Sequence, residues 1–291
     1  MNHDIAFGLR RLRVLPVGLA TLTLILMVAL LGSASVNQAV AAPSPSLAAA
    51  APKPTGVPGD WMLALNSDFN TSSLDTTIWR PGWFGTGITN PINQNELACY
   101  RSQNVQSLGD GSLFLNVTPE PTRCEGGRRP YSGSIISSNP SDGRAGGGFQ
   151  FRYGIVEVKV YLPSYGSLIA NWPEVITLGQ VWPKDGEDDI MEGLFGHACF
   201  HYHSAIDRSP SGLGGCDSDL RPGWHTLAAD WEPGSITYYY DGVRVGGVTQ
   251  GVASAPMYLV IANTVSKLAP QVARDDTMRL AYVRVWQRAS S

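Results

Sequence analysis

The sequence predicts an all-β protein, a jelly-roll sandwich of two antiparallel sheets, on three observations. The 291-residue chain contains 32 Gly and 20 Pro, and only 15% of its residues are charged, which is typical of a turn-rich β protein. Short segments alternate apolar and polar residues between clusters of Gly, Pro, Asn and Asp. No stretch of the sequence has a long helical periodicity, so coiled coils, helical bundles and disordered chains are excluded.

Three segments show the strand pattern most clearly: 113–117, 155–161 and 235–240. Within the second, valines alternate with Glu157 and Lys159, so this strand should have one buried and one solvent-facing side. Asp241-Gly242 follows the third segment, and this pair suits the positive-φ positions of a type I′ turn. The sequence therefore predicts a hairpin at this point.

Residues 1–41 have the layout of a secretory signal peptide. Three arginines precede the apolar run 14–31, and small residues ending in Ala39-Val40-Ala41 follow it. The alternative is an uncleaved membrane anchor, because the run approaches the ~17 residues that a spanning helix needs, although Pro16 interrupts it. We expect a secreted protein whose mature chain begins near Ala42.

Residues 42–58 are rich in Ala, Pro and Ser and are predicted to form a linker, so the domain is expected to cover 59–291. The net charge is −3, with 21 basic and 24 acidic residues. This charge balance argues against nucleic acid as a partner. Nothing in the sequence requires more than a monomer.

The chain has four cysteines, an even number that is expected to pair in an oxidising compartment. Three connectivities would satisfy that count. Pairing Cys99 with Cys124 and Cys199 with Cys216 is favoured, because each pair is close in sequence and encloses a loop rich in Gly, Ser and Pro.

The most informative motif is the run Glu187-Asp188-Asp189-Ile190-Met191-Glu192. Glu187 and Asp189 share one face of a regular strand, and Glu192 joins them only if a β-bulge around Ile190 and Met191 accommodates one extra residue. The two Glu backbones would then lie roughly 13 Å apart, which lets their carboxyl groups approach the ~5 Å that a retaining glycosidase requires. Carboxyl groups this close should raise at least one pKa.

From Ser67 to Gln287 the chain resembles glycoside hydrolase family 16, the laminarinase-like β-glucanases, and in particular the secreted actinobacterial forms. Several stretches carry this resemblance, in the family's order. They are SDFNTSSLDTTIW, NQNELACY, YSGSIISS, YGIVEVKVYLP, GEDDIMEG, GWHTLAADWEPGSITYYYDG, SAPMYLVIAN and YVRVWQ.

The resemblance implies a concanavalin A-like jelly roll with a concave substrate cleft. It implies that Glu187 is the nucleophile, that Glu192 is the acid/base and that Asp189 hydrogen-bonds the nucleophile. The implied reaction is hydrolysis of internal β-glucosidic bonds with retention, on β-1,3-glucan or mixed β-1,3-1,4-glucan. It uses no metal or other cofactor.

A cleft for sugars needs exposed aromatic rings beside polar groups. Three tryptophans are predicted to be core instead: Trp79, Trp231 and Trp286. The candidates for substrate binding are Trp172, Trp182, Trp83, Asn95 and His203.

The chain departs from the family's pattern in three places. Glu174 and Ile176 stand in a segment where the family usually has Trp-Pro-Ala-Phe-Trp, so one sugar-stacking Trp is absent and a charge is added. Asp188 stands where an apolar residue normally faces the core, and it must be solvated, paired or protonated there. Ala281 stands where the family often has a calcium-ligating Asp, which leaves only Asp68 near that expected site.

Two other function classes compete with this interpretation. A zinc-dependent hydrolase would use His197, Cys199, His201 and His203, which alternate and so share one strand face. A carbohydrate-binding sandwich without turnover would keep the fold and lose the reaction. The second alternative gives no reason for three converging carboxyl groups.

Overall fold

The computed structural model describes residues 51–82, 88–91, 94–125, 127–143, 146–206, 212–268, 272–273, 276–289, and they form an almost entirely β structure. The predicted signal peptide, most of the predicted linker and Trp83 lie outside these residues. None of the helices in the described ranges is long and apolar enough to cross a membrane. The strands are β1 Trp61–Ser67, β2 Arg80–Pro81, β3 Ile88–Thr89, β4 Ala98–Arg101, β5 Val105–Ser107, β6 Leu113–Leu115, β7 Thr122–Cys124, β8 Gly127–Arg129, β9 Tyr131–Ser137, β10 Gln150–Phe151, β11 Gly154–Leu162, β12 Ser164–Tyr165, β13 Leu168–Ile169, β14 Trp172–Gly179, β15 Glu187–Leu194, β16 His197–His203, β17 Leu213–Asp217, β18 Gly223–Glu232, β19 Ser235–Tyr240, β20 Val243–Val248, β21 Met257–Thr264 and β22 Met278–Arg288, with one 3₁₀ turn at Ser102–Asn104.

Two large sheets confirm the predicted sandwich. Sheet A has 8 strands in the order β20-β19-β18-β11-β22-β6-β5, with β1 also paired to β22. Sheet B has 10 strands in the order β17-β16-β15-β14-β21-β9-β4-β3, with β10 and β2 added beside β21 and β9. The pairing within these sheets is antiparallel except between β4 and β9, which run parallel.

The core lies between the facing sides of the two sheets. Val158 and Leu280 from sheet A and Val175 and Ile261 from sheet B are all fully buried in one apolar cluster. The predicted hairpin is present between β19 and β20, where Asp241 and Gly242 have φ values of 49° and 77°. The three tryptophans predicted to be core are confirmed as buried: Trp79, Trp231 and Trp286.

The face of sheet A that points away from the core is partly covered by residues 51–57. The Thr55 N–H donates to Glu157 at 2.6 Å, the Trp286 indole donates to the Pro52 carbonyl at 2.8 Å, and Val57 is buried against Trp286. Pro52, Thr55 and Val57 therefore contact the domain, although they belong to the predicted linker. The prediction that Glu157 faces solvent is wrong for the same reason, since only 1% of the residue is exposed.

The favoured disulfide pairing is confirmed. Cys99 is bonded to Cys124, and Cys199 is bonded to Cys216 across the adjacent strands β16 and β17. The second bond lies at the edge of sheet B, one strand away from β15, and it joins the strand that carries the alternating histidines to its neighbour.

Candidate active site

The predicted β-bulge is present in β15. On the β14 side, Val175 pairs with Met191 and Ile176 pairs with Asp189, so Ile190 has no opposing residue. The register to β16 shifts between the same positions of β15. Because of this extra residue, the side chains of Glu187, Asp189 and Glu192 all lie on the face of sheet B that points away from the core.

Two tyrosines of sheet A support this strand from across the core. The Tyr240 hydroxyl donates to the Ile190 carbonyl at 3.0 Å, which satisfies a backbone acceptor at the bulge. The Tyr238 hydroxyl donates to Asp188 Oδ1 at 2.7 Å. Gly186 leads into the strand with φ 84°, and the Tyr202 hydroxyl lies where its Cβ would be, so this position requires glycine.

Each of the three carboxyl groups has its own aromatic or imidazole neighbour. The Trp182 indole N–H donates to Glu187 Oε2 at 2.5 Å, and His203 Nε2 lies 3.3 Å from Asp189 Oδ2.

Glu192 lies between two ring nitrogens, one bound to each of its oxygens. The Trp172 indole N–H donates to Oε1 at 3.2 Å, and His201 Nδ1 lies 2.9 Å from Oε2. Only 9% of Glu192 is exposed. The residue is therefore oriented by contacts from β14 on one side and β16 on the other.

Burial and mutual repulsion raise the pKa of two of these carboxyl groups. Burial raises the pKa of Glu187 to about 7, although the Trp182 hydrogen bond opposes that rise and Glu192 adds to it. Burial also raises the pKa of Asp189 well above its ordinary value, and the neighbouring acids add to that shift. The site therefore retains protons at a pH where exposed acids are ionised.

Two further acids surround the site, and sequence reasoning treated them only as departures. Glu174 pairs with Glu192 in the register, is 4% exposed, and its Oε2 has no hydrogen-bond partner in the described structure. Burial and the charges of Glu96, Glu192 and Glu187 raise its pKa well above the ordinary value. Asp188 is paired as required, through Tyr238, and burial raises its pKa to about 7 despite that bond.

The predicted sugar-binding residues fall into different environments. Trp182 is 60% exposed beside Glu187, as a stacking platform requires. Trp172 is only 5% exposed, and its indole donates to Glu192. Its ring is therefore less accessible than the exposed ring that the sequence predicts. His203 lies beside Asp189, and the Asn95 carbonyl accepts from the Lys267 N–H. His201, predicted as a zinc ligand, lies beside Glu192 instead, and its alternate spacing with His203 on β16 is the sequence signal for that position.

The predicted zinc set is wrong because Cys199 is consumed by its disulfide with Cys216. Within the described part of the chain, a different group has metal-ligand geometry. Asp189, Glu192 and His201 each place one ligand atom within 4.8 Å of the others. These are the groups already engaged with one another in the carboxyl cluster.

Several solved structures that are similar to this chain are laminarinases or related glucanases. The laminarinase catalytic domain from Thermotoga maritima matches with a TM-score of 0.65 and 21% identity, over 79% of this chain and 100% of that one. The endo-β-1,3-glucanase from Pyrococcus furiosus matches with a TM-score of 0.65 and 22% identity, over 79% and 96%. A non-specific endo-β-1,3(4)-glucanase from family GH16 matches with a TM-score of 0.66 and 23% identity, over 81% and 95%. No protein-family model and no curated protein matches the sequence. The chain therefore has the laminarinase-like fold of glycoside hydrolase family 16.

Proposed function

We propose that the protein is a secreted glycoside hydrolase that cleaves internal β-glucosidic bonds of a polysaccharide with retention. The observation that carries this proposal is the bulge in β15, which brings Glu187, Asp189 and Glu192 to one sheet face. The glucanases that share the fold support β-1,3-glucan or mixed β-1,3-1,4-glucan as the substrate. Two disulfides support export to an oxidising compartment.

The environments of the two Glu residues support a different role for each. In the first step a Glu187 oxygen forms a bond to the anomeric carbon while the bond from that carbon to the glycosidic oxygen breaks, and Glu192 gives its proton to that oxygen. In the second step Glu192 removes a proton from water, which attacks the same carbon and releases Glu187. The Trp182 N–H stabilises the Glu187 anion, which suits a nucleophile.

Asp189 is the most enclosed of the three acids, with 2% exposed, and it is the group best placed to retain a proton. A protonated Asp189 can donate to a neighbouring Glu and so reduces the repulsion between the two. His201 and Trp172 hold Glu192 in place while its proton leaves and returns. No step of this mechanism requires a metal ligand.

The test is release of reducing ends from laminarin and from mixed-linkage glucan, with the parent beside Glu187→Gln and Glu192→Gln. We expect the parent to be active and both variants to lose roughly 10³-fold or more in kcat/KM. Glu120→Gln, an exposed partner of Arg101, is the matched control and should retain full activity.

An aryl glucoside with a good leaving group separates the two roles. Its departure needs no proton, so Glu192→Gln should still form the glycosyl-enzyme, and added azide should then yield a β-glycosyl azide. Glu187→Gln should do neither. A parent that binds glucan without releasing product would instead establish the carbohydrate-binding alternative.

A further inference from the structure

The outer face of sheet A has two halves with different surroundings. Residues 51–57 cover the half around Glu157 and Trp286. On the other half, one row of side chains crosses five strands in register and has no described segment lying over it. The row consists of Trp224, Tyr161, Arg279, Phe114 and Gln106. At the usual strand spacing it is about 19 Å long, enough for several sugar rings placed end to end.

Arg279 holds the aromatic part of this row together. Its guanidinium lies 4.0 Å from the ring centre of Tyr161 and 5.6 Å from that of Trp224. Trp224 is 40% exposed and meets Tyr161 edge-on at 5.6 Å. The Arg279 Nε is buried without a hydrogen-bond partner among the described residues, so this group keeps an unused donor beside an exposed ring.

A hydrogen bond to Asp276 fixes the position of the Tyr161 ring. Its hydroxyl donates to Asp276 Oδ2 at 3.2 Å, and the N–H and hydroxyl of Ser164 donate to the same oxygen at 3.1 and 3.2 Å. Asp276 Oδ2 therefore accepts hydrogen bonds from three donors. The row is therefore a preformed surface that loses little conformational entropy when a ligand binds.

An open pocket of about 540 Å³ continues the row beyond Arg279. Its lining is mainly neutral and polar, with amide and hydroxyl groups around the Phe114 ring, and Arg279 is the one basic residue in it. Clustered positive charge, which a polyanion would need, is lacking in this described lining. The apolar centre of a protein interface is lacking there too. The polar residues are Asn104, Gln106, Asn116, Thr118, Thr277 and Asp276.

We propose that this row and pocket form a second carbohydrate-binding surface, which holds a neutral glucan chain on the sheet opposite the three carboxyl groups. A neutral sugar presents apolar ring faces to Trp224 and hydroxyl edges to Arg279 and the amides, which is the chemistry that the surface offers. The identity of the polymer rests on the proposed function, whereas the existence of the surface does not. Binding here would raise the local concentration of polymer at the cleft without supplying any group to the reaction.

The experiment uses native gel electrophoresis through gels containing laminarin, with the full chain carrying Glu187→Gln so that no product forms. Trp224→Ala and Arg279→Met are added singly and together. The control is Trp61→Ala, which removes a tryptophan of the same sheet that also has an arginine, Arg288, 4.5 Å from its ring centre. Thermal unfolding of each variant checks that it is folded.

We expect laminarin to retard the Glu187→Gln chain and the control, and we expect the double variant to bind roughly tenfold more weakly. In the active chain the same two changes should lower the rate on polymeric glucan several-fold and leave kcat/KM on a short oligosaccharide unchanged. Equal retardation of parent and double variant would overturn the proposal, as would binding of an anionic polyuronate in preference to laminarin.

The outcomes also separate this proposal from the proposed function. A chain that is retarded through Trp224 and Arg279 yet hydrolyses no glucan would keep the second surface and exclude the hydrolase. A chain that hydrolyses glucan with its retardation unaffected by either change would keep the hydrolase and exclude the second surface.

Discussion

The outer faces of the two sheets each contain buried carboxyl groups, but these groups differ in their hydrogen-bond partners and in how close they lie to other acids. On sheet A, Glu157 accepts from the Thr55 N–H at 2.6 Å and from the Tyr282 hydroxyl at 2.9 Å, so both of its oxygens are paired. On sheet B, Glu174, Glu187 and Asp189 lie close together, and their pKa values are raised. The buried acid on sheet A has hydrogen-bond donors for both oxygens, whereas a crowded group of acids with raised pKa values is a candidate site for proton transfer.

The same substitution on the two faces should therefore have opposite consequences. Glu187→Gln is expected to lose roughly 10³-fold or more in kcat/KM on laminarin while its urea midpoint stays unchanged or rises. The rise would be largest above pH 7, because the pKa of Glu187 is about 7 in the folded chain and the substitution removes an acid that is unfavourable when ionised. A clear fall in the urea midpoint of Glu187→Gln would show instead that Glu187 has a structural role.

The fold could be predicted from the sequence to a large extent because strand periodicity and turn residues are local signals. The segment 235–240 corresponds to β19, and Asp241-Gly242 forms the turn that follows it. The bulge was also within reach, because only an extra residue puts Glu192 on the face of Glu187. The clustering of Glu187, Asp189 and Glu192 (the carboxyl triad) and both disulfides could be predicted from spacing, composition and resemblance alone.

The contacts that could not be predicted are made between segments distant in sequence. Tyr238 reaches Asp188 and Tyr240 reaches the Ile190 carbonyl across the core, 50 residues away in the chain. Thr55 reaches Glu157 over a separation of 102 residues, which is why a solvent-facing acid was predicted where a buried one is found. The hydrogen bond from the Trp172 indole to Glu192 is likewise not visible in the sequence, because it joins two different strands.

Asp188→Asn tests how burial of an acid on β15 affects stability. The pKa of Asp188 is about 7 in the folded chain against an ordinary value of 3.8. The native state therefore binds the proton more tightly, and the linked stability is complete below pH about 4 and is lost as the pH rises through 7. We expect the variant to reduce that loss by about 1.4 kcal/mol for each pH unit between those values.

The measurement for Asp188→Asn is urea unfolding at a series of pH values from 5 to 8. Asp110→Asn, on an exposed loop, is the control and should follow the parent at every pH. Parallel curves for the parent and Asp188→Asn would contradict the assignment of a retained proton to this residue.

On sheet A, Glu157→Gln should leave one of two donors, the Thr55 N–H or the Tyr282 hydroxyl, with a weaker or missing acceptor. We expect a loss of about 1–3 kcal/mol in the free energy of unfolding, measured in urea, because a buried donor would lose its partner. The kcat/KM on laminarin should not change, since Glu157 lies on the other sheet from the carboxyl triad. A loss of activity in a variant of normal stability would break the distinction between the two faces.

The smallest expected effect is a shift in the pKa of Glu187, one of the clustered acids on sheet B. The Trp182 hydrogen bond lowers the pKa of Glu187 against the effect of burial, so removing the donor should raise that pKa. As the proposed nucleophile, Glu187 must be ionised to attack. The acidic limb of the kcat/KM profile, expected near pH 7 in the parent, should therefore move to higher pH in Trp182→Phe by up to about one unit. Trp224→Phe, another exposed tryptophan but on sheet A, should leave the limb in place on a short oligosaccharide. A limb that stays fixed in Trp182→Phe would mean that a group other than Glu187 controls it, and the nucleophile would then have to be sought among the other acids of the same face.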